Sequence, residues 1–226
     1  MGRRGGGPNV WPVVADFFLA LLAVVIVLVA KRDRPDPRLE AALRRIDARI
    51  QPLILSKMVK EARVEYPETR IVLAEDYLAF PECGWTILPA RLEEVRSILD
   101  LFLPVDSFVV ALNIEGHADT RRPTLCKSLT FGTNFELSQR RALAVYAGLL
   151  RVEITQVEDT AAVFDANRNE PGIVWRLKRR NRVLVAGYGD SKPWPGASSP
   201  TDLLNRRVEL RLLFCRRRND AACSRE

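Results

Sequence analysis

From Val10 to Ala30 the chain reads VWPVVADFFLALLAVVIVLVA, an apolar run with one charged residue, Asp16. At about 1.5 Å of rise per residue the run matches roughly the 30 Å hydrocarbon core of a bilayer, which predicts a transmembrane helix over residues 10–30. A cleaved signal peptide is the competing reading, with Arg3 and Arg4 as its basic region. Against it, the run is long, and Lys31-Arg32-Asp33-Arg34 stands where a small-residue cleavage site would be needed. Basic residues flank both ends, so charge alone does not orient the helix.

A carboxylate at this depth costs about 2.5–3.5 kcal/mol on insertion scales and is read as functional by default. Asp16 is therefore the candidate proton carrier, able to load from one side and release to the other. The structural alternative keeps it as a side chain reaching the nearby interface or bonded to a neighbouring helix, since it lies about two turns from the helix start.

The net charge of +7 comes from arginine-rich stretches and is compatible with nucleic acid, anionic lipid or anionic wall polymer. The four cysteines, Cys83, Cys126, Cys215 and Cys223, contain no CxxC pair and the chain has one histidine, which argues against a tetrahedral zinc site. In an oxidising compartment two disulfides can form; three connectivities stay open, and proximity alone favours Cys215 with Cys223. No nucleophile with a partnering base is evident, so neither a catalytic centre nor a cofactor is expected.

After the apolar run, Arg34-Pro35-Asp36-Pro37 breaks regular structure. Leu39, Leu43, Ile46, Ile50 and Leu53 then recur at spacings of four and three, the stripe of an amphipathic helix that Pro52 ends or kinks. The stripe pairs two copies of the chain in a short coiled coil, or packs on its own domain or on lipid. Residues 31–68 read as a linker, with 1–9 a short tail and 69–226 the folded domain.

That domain alternates strand and helix: strands at 71–79, 108–115, 182–188 and 208–214, and helices at 89–103 and 137–151. The pattern predicts an α+β sandwich with helices on one sheet. Pro89 suits a first helical turn and Pro104 a helix end.

Three motifs follow one another: Ile114-Glu115-Gly116-His117-Ala118-Asp119-Thr120, then Asn134-Phe135-Glu136-Leu137-Ser138-Gln139-Arg140-Arg141-Ala142, then Gly187-Tyr188-Gly189 through Asn205-Arg206-Arg207-Val208-Glu209. In this order they resemble the OmpA-like peptidoglycan-binding domain, which also occurs in Pal and MotB. Phe80, Gly84 and Leu88 echo that family's opening motif with one extra residue. Trp11, Ala15, Asp16, Phe17 and the run through Ala23 resemble the membrane segment of MotB-type stator subunits, departing by Pro12 and by one residue fewer between tryptophan and aspartate.

The resemblance implies a βαβαβ-type domain that holds the diaminopimelate stem of peptidoglycan, a group with an ammonium and a carboxylate at one end. Asp119 would supply the anion and Arg141 the bidentate cation. Asn134, Leu137 and Thr120 would shape the pocket, and Asn205 and Arg207 would line or support it. Each has a structural alternative: Asp119 paired with Arg141, Ser138 in a helix-terminal contact, Asn205 as a cap, His117 as a hydrogen-bonded core group. Two stretches depart from the family, 121–133 and the insertion 152–181, which carries the basic run Trp175-Arg176-Leu177-Lys178-Arg179-Arg180.

By the same resemblance the chain is a stator B subunit in the inner membrane, N-terminus cytoplasmic and domain periplasmic. Its partners would be peptidoglycan, a second copy of itself and a multi-pass A-type subunit, five copies around two. The output stays open between flagellar-type rotation, gliding or transport, and Zorya-type anti-phage defence. A plain envelope tether is the alternative. Nucleic acid is excluded as a partner, because a periplasmic domain keeps the arginines outside the cytoplasm.

Overall fold

The computed structural model describes residues 11–32, 34–80, 84–121, 132–151, 172–217 and 223. Cys83, Cys126, the stretch 122–131 and residues 152–171 of the insertion lie outside the described residues. The chain divides into two units, residues 1–35 and 36–226.

The first unit holds one helix, α1 (Trp11–Arg32). Phe17, Phe18, Leu19, Leu22 and Ile26 are all exposed, and so is Asp16. Among the described residues no helix is long and apolar enough to cross a membrane. A bilayer placement of α1 therefore rests on the sequence.

The second unit opens with α2 (Pro37–Leu55), where Asp36 caps the start by accepting the N–H of Arg38 at 2.8 Å and Pro37 occupies the first turn. Pro52 falls in the last turn, and the helix runs three residues past it before Lys57 turns left-handed. The apolar stripe Leu39, Leu43, Ile46 and Ile50 is buried in the same core as the sheet. Of the alternatives for this stripe, the structure shows packing on the chain's own domain, so the stripe is not free to pair two copies. The folded unit accordingly starts at Asp36 instead of residue 69, because four large aliphatic side chains would otherwise face water.

The sheet has five strands: β1 (Glu61–Arg63), β2 (Glu68–Ala74), β3 (Val109–His117), β4 (Val183–Gly187) and β5 (Arg207–Phe214). Their order is β1-β2-β5-β3-β4, antiparallel throughout except for the parallel pair β3–β4. Strand β5 shows the period-2 alternation that defines its two faces. Val208, Leu210, Leu212 and Phe214 enter the core, while Arg207, Glu209 and Arg211 face away. On β3, Leu112 and Ile114 join the core, and Glu115 and His117 share the polar face with β5.

The strand expected to reach residue 79 stops at Ala74, which pairs with Arg207, the first residue of β5. With no partner strand beyond that point the chain turns into a short helix, α3 (Glu75–Leu78), closed by left-handed Ala79. Helix α4 (Pro89–Asp100) follows, then a 3-10 turn over Leu103–Phe108.

Helix α5 (Asn134–Leu149) lies on β3 and β4. Its start is a capping-box arrangement: Thr133 Oγ1 accepts the Glu136 N–H, and Glu136 reaches back to the Gly132 N–H at 2.8 Å. Helix α6 (Ile173–Arg179) carries the basic run of the insertion. Trp175 and Leu177 are core residues, and Arg176 is tied to Asp106 at 2.6 Å, so the run is the outer face of a packed helix and not a continuous basic patch. Cys215 and Cys223 are joined by a disulfide.

Candidate functional site

Two glycines explain why the three motifs come together. A Cβ on Gly116 would overlap the carbonyl of Ser138, so only glycine lets α5 lie backbone against backbone on β3. Gly189 has φ +54, and a Cβ there would lie 3.0 Å from Phe135 N. Ser138, fully buried, joins the segments: its hydroxyl donates to the Phe135 carbonyl at 2.8 Å and accepts the Gly189 N–H at 2.8 Å.

This packing sets Asp119, two residues past β3, close to the start of α5. Asn134 donates to the Asp119 carbonyl at 2.7 Å, which fixes that backbone. The Asp119 carboxylate is buried and accepts from Arg121 Nε at 2.7 Å and Arg206 Nε at 2.9 Å, both at Oδ2. Arg141, about two turns into α5 and equally buried, bonds Glu75 Oε1 through Nη2 at 2.7 Å and the Gly84 carbonyl through Nε at 3.1 Å. Its guanidinium also lies 4.9 Å above the Phe80 ring. Burial lowers the pKa of Arg141 while Glu75 opposes the shift.

Asp119 and Arg141 therefore bond to different residues. Arg206 completes the chain of contacts, bonding Asp119 on one side and Glu75 Oε2 at 3.3 Å on the other. The network reads Asp119–Arg206–Glu75–Arg141, alternating in sign.

Of the other expected pocket residues, Leu137 is buried on α5, and exposed Thr120 donates its backbone N–H to the Pro200 carbonyl at 3.2 Å. Asn205 is scaffold: buried, it accepts the Trp194 N–H at 2.7 Å and donates to the carbonyls of Ser199 and Pro200. Arg207 belongs to the opposite face of the sheet, bonded to Glu209 at 2.6 Å and to the carbonyls of Asn205 and Lys192. Neighbouring residues at a strand start point to opposite faces, so Arg206 is the member of the pair that reaches Asp119. The motif contained both arginines, and strand alternation was the signal that separates them. Glu75 carried no signal, since the sequence placed it inside a strand.

The polar face forms a second cluster. Glu115 and Glu209 are paired directly across β3 and β5, both buried, and His117 stands beside them. Arg211 binds Glu115 at 3.3 Å and Glu68 through two contacts of 2.7 Å. His117 stacks on Tyr188, and its Nε2 is 3.7 Å from Glu209, too far for a hydrogen bond. It is a buried core histidine, and among the described residues neither ring nitrogen has a partner at full hydrogen-bond geometry. Burial and the Arg207 charge push its pKa down to about 4, against an opposing pull from Glu209. Glu115, His117 and Glu209 offer three ligand atoms within 4.8 Å of one another. Arg207, Arg211 and Lys192 already pair with these carboxylates and Glu68, so a metal dication would have to displace cations that neutralise the cluster.

A cleft of about 680 Å³ opens on the first network, lined among others by Glu75, Phe80, Arg121, Leu203 and Arg206 and, from the α2–β1 connection, Lys57 and Lys60.

No family model matches the chain, and no curated protein matches it. Among solved structures, a putative MotB-like protein from Desulfovibrio vulgaris matches at TM-score 0.52 and 20% identity, over 79% of this chain and 98% of that one. The fold is MotB-like. The cell wall anchor of the T6SS from Pseudomonas aeruginosa matches equally, at TM-score 0.51 and 20% identity over 81% of this chain and all of that one. At this identity the MotB-like likeness establishes the fold, and the residues must carry the function.

Proposed function

We propose that the chain is a peptidoglycan-binding anchor, that α1 fastens it to the inner membrane with residues 36–226 in the periplasm, and that it acts as the B subunit of a proton-conducting stator. The observation that carries the anchor is the pairing of a buried carboxylate, Asp119, with a buried forked cation, Arg141, in one network within a MotB-like fold. A diaminopimelate stem presents an ammonium and a carboxylate, which ask for these two groups. The reading is of binding, with no covalent step.

Support for the membrane and stator parts comes from the sequence: the run from Val10 to Ala30 holds Asp16 as its one charge. In this reading Asp16 carries the proton, a multi-pass A-type subunit surrounds the helices, and the wall contact lets ion-driven motion act against something fixed. The outputs consistent with it are Zorya-type defence and flagellar-type rotation. A second reading, a tether without ion conduction, is favoured by one observation: the stripe that would have paired two copies is used inside the domain.

The test uses the full-length chain in mild detergent. Isolated sacculi should pull it down, and Asp119→Ala and Arg141→Ala should each abolish this; binding retained by both variants sinks the ligand assignment. Co-purification of a multi-pass protein, with function lost in Asp16→Asn, supports the stator, whereas no such partner makes the tether the better account.

A further inference from the structure

The two groups assigned to the ligand are not waiting for it. Solvent exposure rises in order outward from them: the side chains of Asp119 and Arg141 are 3% and 6% exposed, Glu75 15%, Arg206 28% and Arg121 51%. The cleft is lined by Glu75, Arg121 and Arg206 but by neither Asp119 nor Arg141. Anything entering from solvent therefore meets Arg121, then Arg206 and Glu75, before it reaches Asp119 or Arg141.

These two residues carry the same pair of charges as the ligand. Glu75 puts a carboxylate on Arg141 at 2.7 Å, where the stem's carboxylate would bind. Arg206 puts a cation on Asp119 at 2.9 Å, where the stem's ammonium would bind. They are bonded to each other at 3.3 Å, as one zwitterion. Glu75 begins α3, a helix of four residues, and Arg206 sits at the end of a three-residue 3-10 turn. Tyr77 and Leu78 hold α3 in the core, so the movement required is of the two partly exposed side chains, Glu75 and Arg206, and not of the elements that carry them.

We propose that the Glu75–Arg206 pair occupies, from within the chain, the two charges that a zwitterionic stem would bring, so that the stem binds by displacing it. This rests on the peptidoglycan reading above. Glu75 and Arg206 then set affinity by competing: removing Glu75 frees Arg141, and removing Arg206 leaves Asp119 with half-exposed Arg121, the easier of the two arginines for an ammonium to displace.

Charge effects of a general kind separate from this competition. Against an anionic polymer, losing Glu75 would strengthen binding and losing Arg206 would weaken it. Displacement predicts that both losses strengthen it. The experiment titrates the full-length protein in detergent with free meso-diaminopimelate and with isolated sacculi, for the wild type, Glu75→Gln, Arg206→Gln, the double variant, and Asp119→Ala. Each competitor makes a charge-assisted bond, so each single variant should bind diaminopimelate about tenfold tighter. The double variant, which removes both charges together, guards against misfolding of the singles, and thermal melts check all five.

Tighter binding by both single variants, or by the double variant where a single one is unfolded, supports displacement. Unchanged or weaker binding in Glu75→Gln, or weaker binding in Arg206→Gln, overturns it while leaving the peptidoglycan reading intact. If Asp119→Ala binds as the wild type does, or if no protein in the set binds, the peptidoglycan reading itself fails and the inference with it.

Discussion

Ser138 and Gly189, 51 positions apart, are joined by a 2.8 Å hydrogen bond from the glycine N–H to the serine hydroxyl, which itself donates to Phe135. One buried oxygen thereby ties the loop after β4 to the first turn of α5. The first motif meets the same point through Gly116, where a side chain would overlap the Ser138 carbonyl.

Replacing Ser138 with alanine leaves the Gly189 N–H buried without its acceptor. An unsatisfied buried donor costs roughly 1–3 kcal/mol, so urea unfolding of residues 36–226 should show a loss in that range. A loss below about 0.5 kcal/mol would mean that water or another group takes over the bond.

Gly116→Ala should be worse. The new methyl meets backbone, which cannot rotate away as a side chain tip would, so α5 must shift off β3. The expected loss is about 3 kcal/mol or more, read as failure to express in soluble form or as a much lower melting temperature, with stem binding lost in parallel.

Strands β2 to β5 and helices α4 and α5 were legible in the sequence from periodicity, and the motifs from their resemblance to a known family, whereas the short elements β1, α3 and α6 carry too few residues for a periodic pattern. The role of α2 was not decidable: Leu39, Leu43, Ile46 and Ile50 form the same stripe whether it meets another copy or its own sheet. Glu75 was hidden for a different reason. Where β2 ends depends on where β5 begins, a pairing between residues more than a hundred positions apart that no local pattern records.

The position of α2 gives a prediction about truncation. Burial of four large aliphatic side chains contributes roughly 6–12 kcal/mol, comparable with the net stability of a whole domain. A fragment starting at residue 69 should be unfolded or aggregated, whereas one starting at residue 36 should melt cooperatively, as circular dichroism would show. Cooperative melting of the shorter fragment would contradict the buried stripe.

Arg206 and Arg207 should separate by phenotype. Arg207→Ala leaves Glu209 and Glu115 facing each other in a buried setting, and breaking such a pair typically costs about 3–5 kcal/mol. Arg206, partly exposed, should cost far less stability when replaced and should act on stem binding instead. Equal destabilisation by the two variants would contradict the assignment of the two arginines to opposite faces.

His117 supplies a pH dependence. Its pKa is about 4 in the folded chain against 6.5 when unfolded, so between these values the unfolded chain holds the extra proton. Stability is full above pH 6.5 and falls as the pH drops toward 4; between pH 7 and pH 5 this one group accounts for about 2 kcal/mol. Glu209 and Glu115 face the ring together with Arg207 and Lys192. In His117→Phe, which keeps the stack on Tyr188, the loss of stability over that interval should largely vanish. An unchanged pH slope would show that other groups control it.

The glycine contact between β3 and α5 also limits what the site can recognise. Asp119 follows directly from β3 and Arg141 lies on α5, and no side chain separates the two backbones at Gly116 that might compress or rearrange. The two main chains that carry these charges therefore keep a fixed spacing, and only the Asp119 and Arg141 side chains are left to adjust. In the peptidoglycan reading the site works as a caliper on a rigid frame, selecting a stem by the distance between its own two charges.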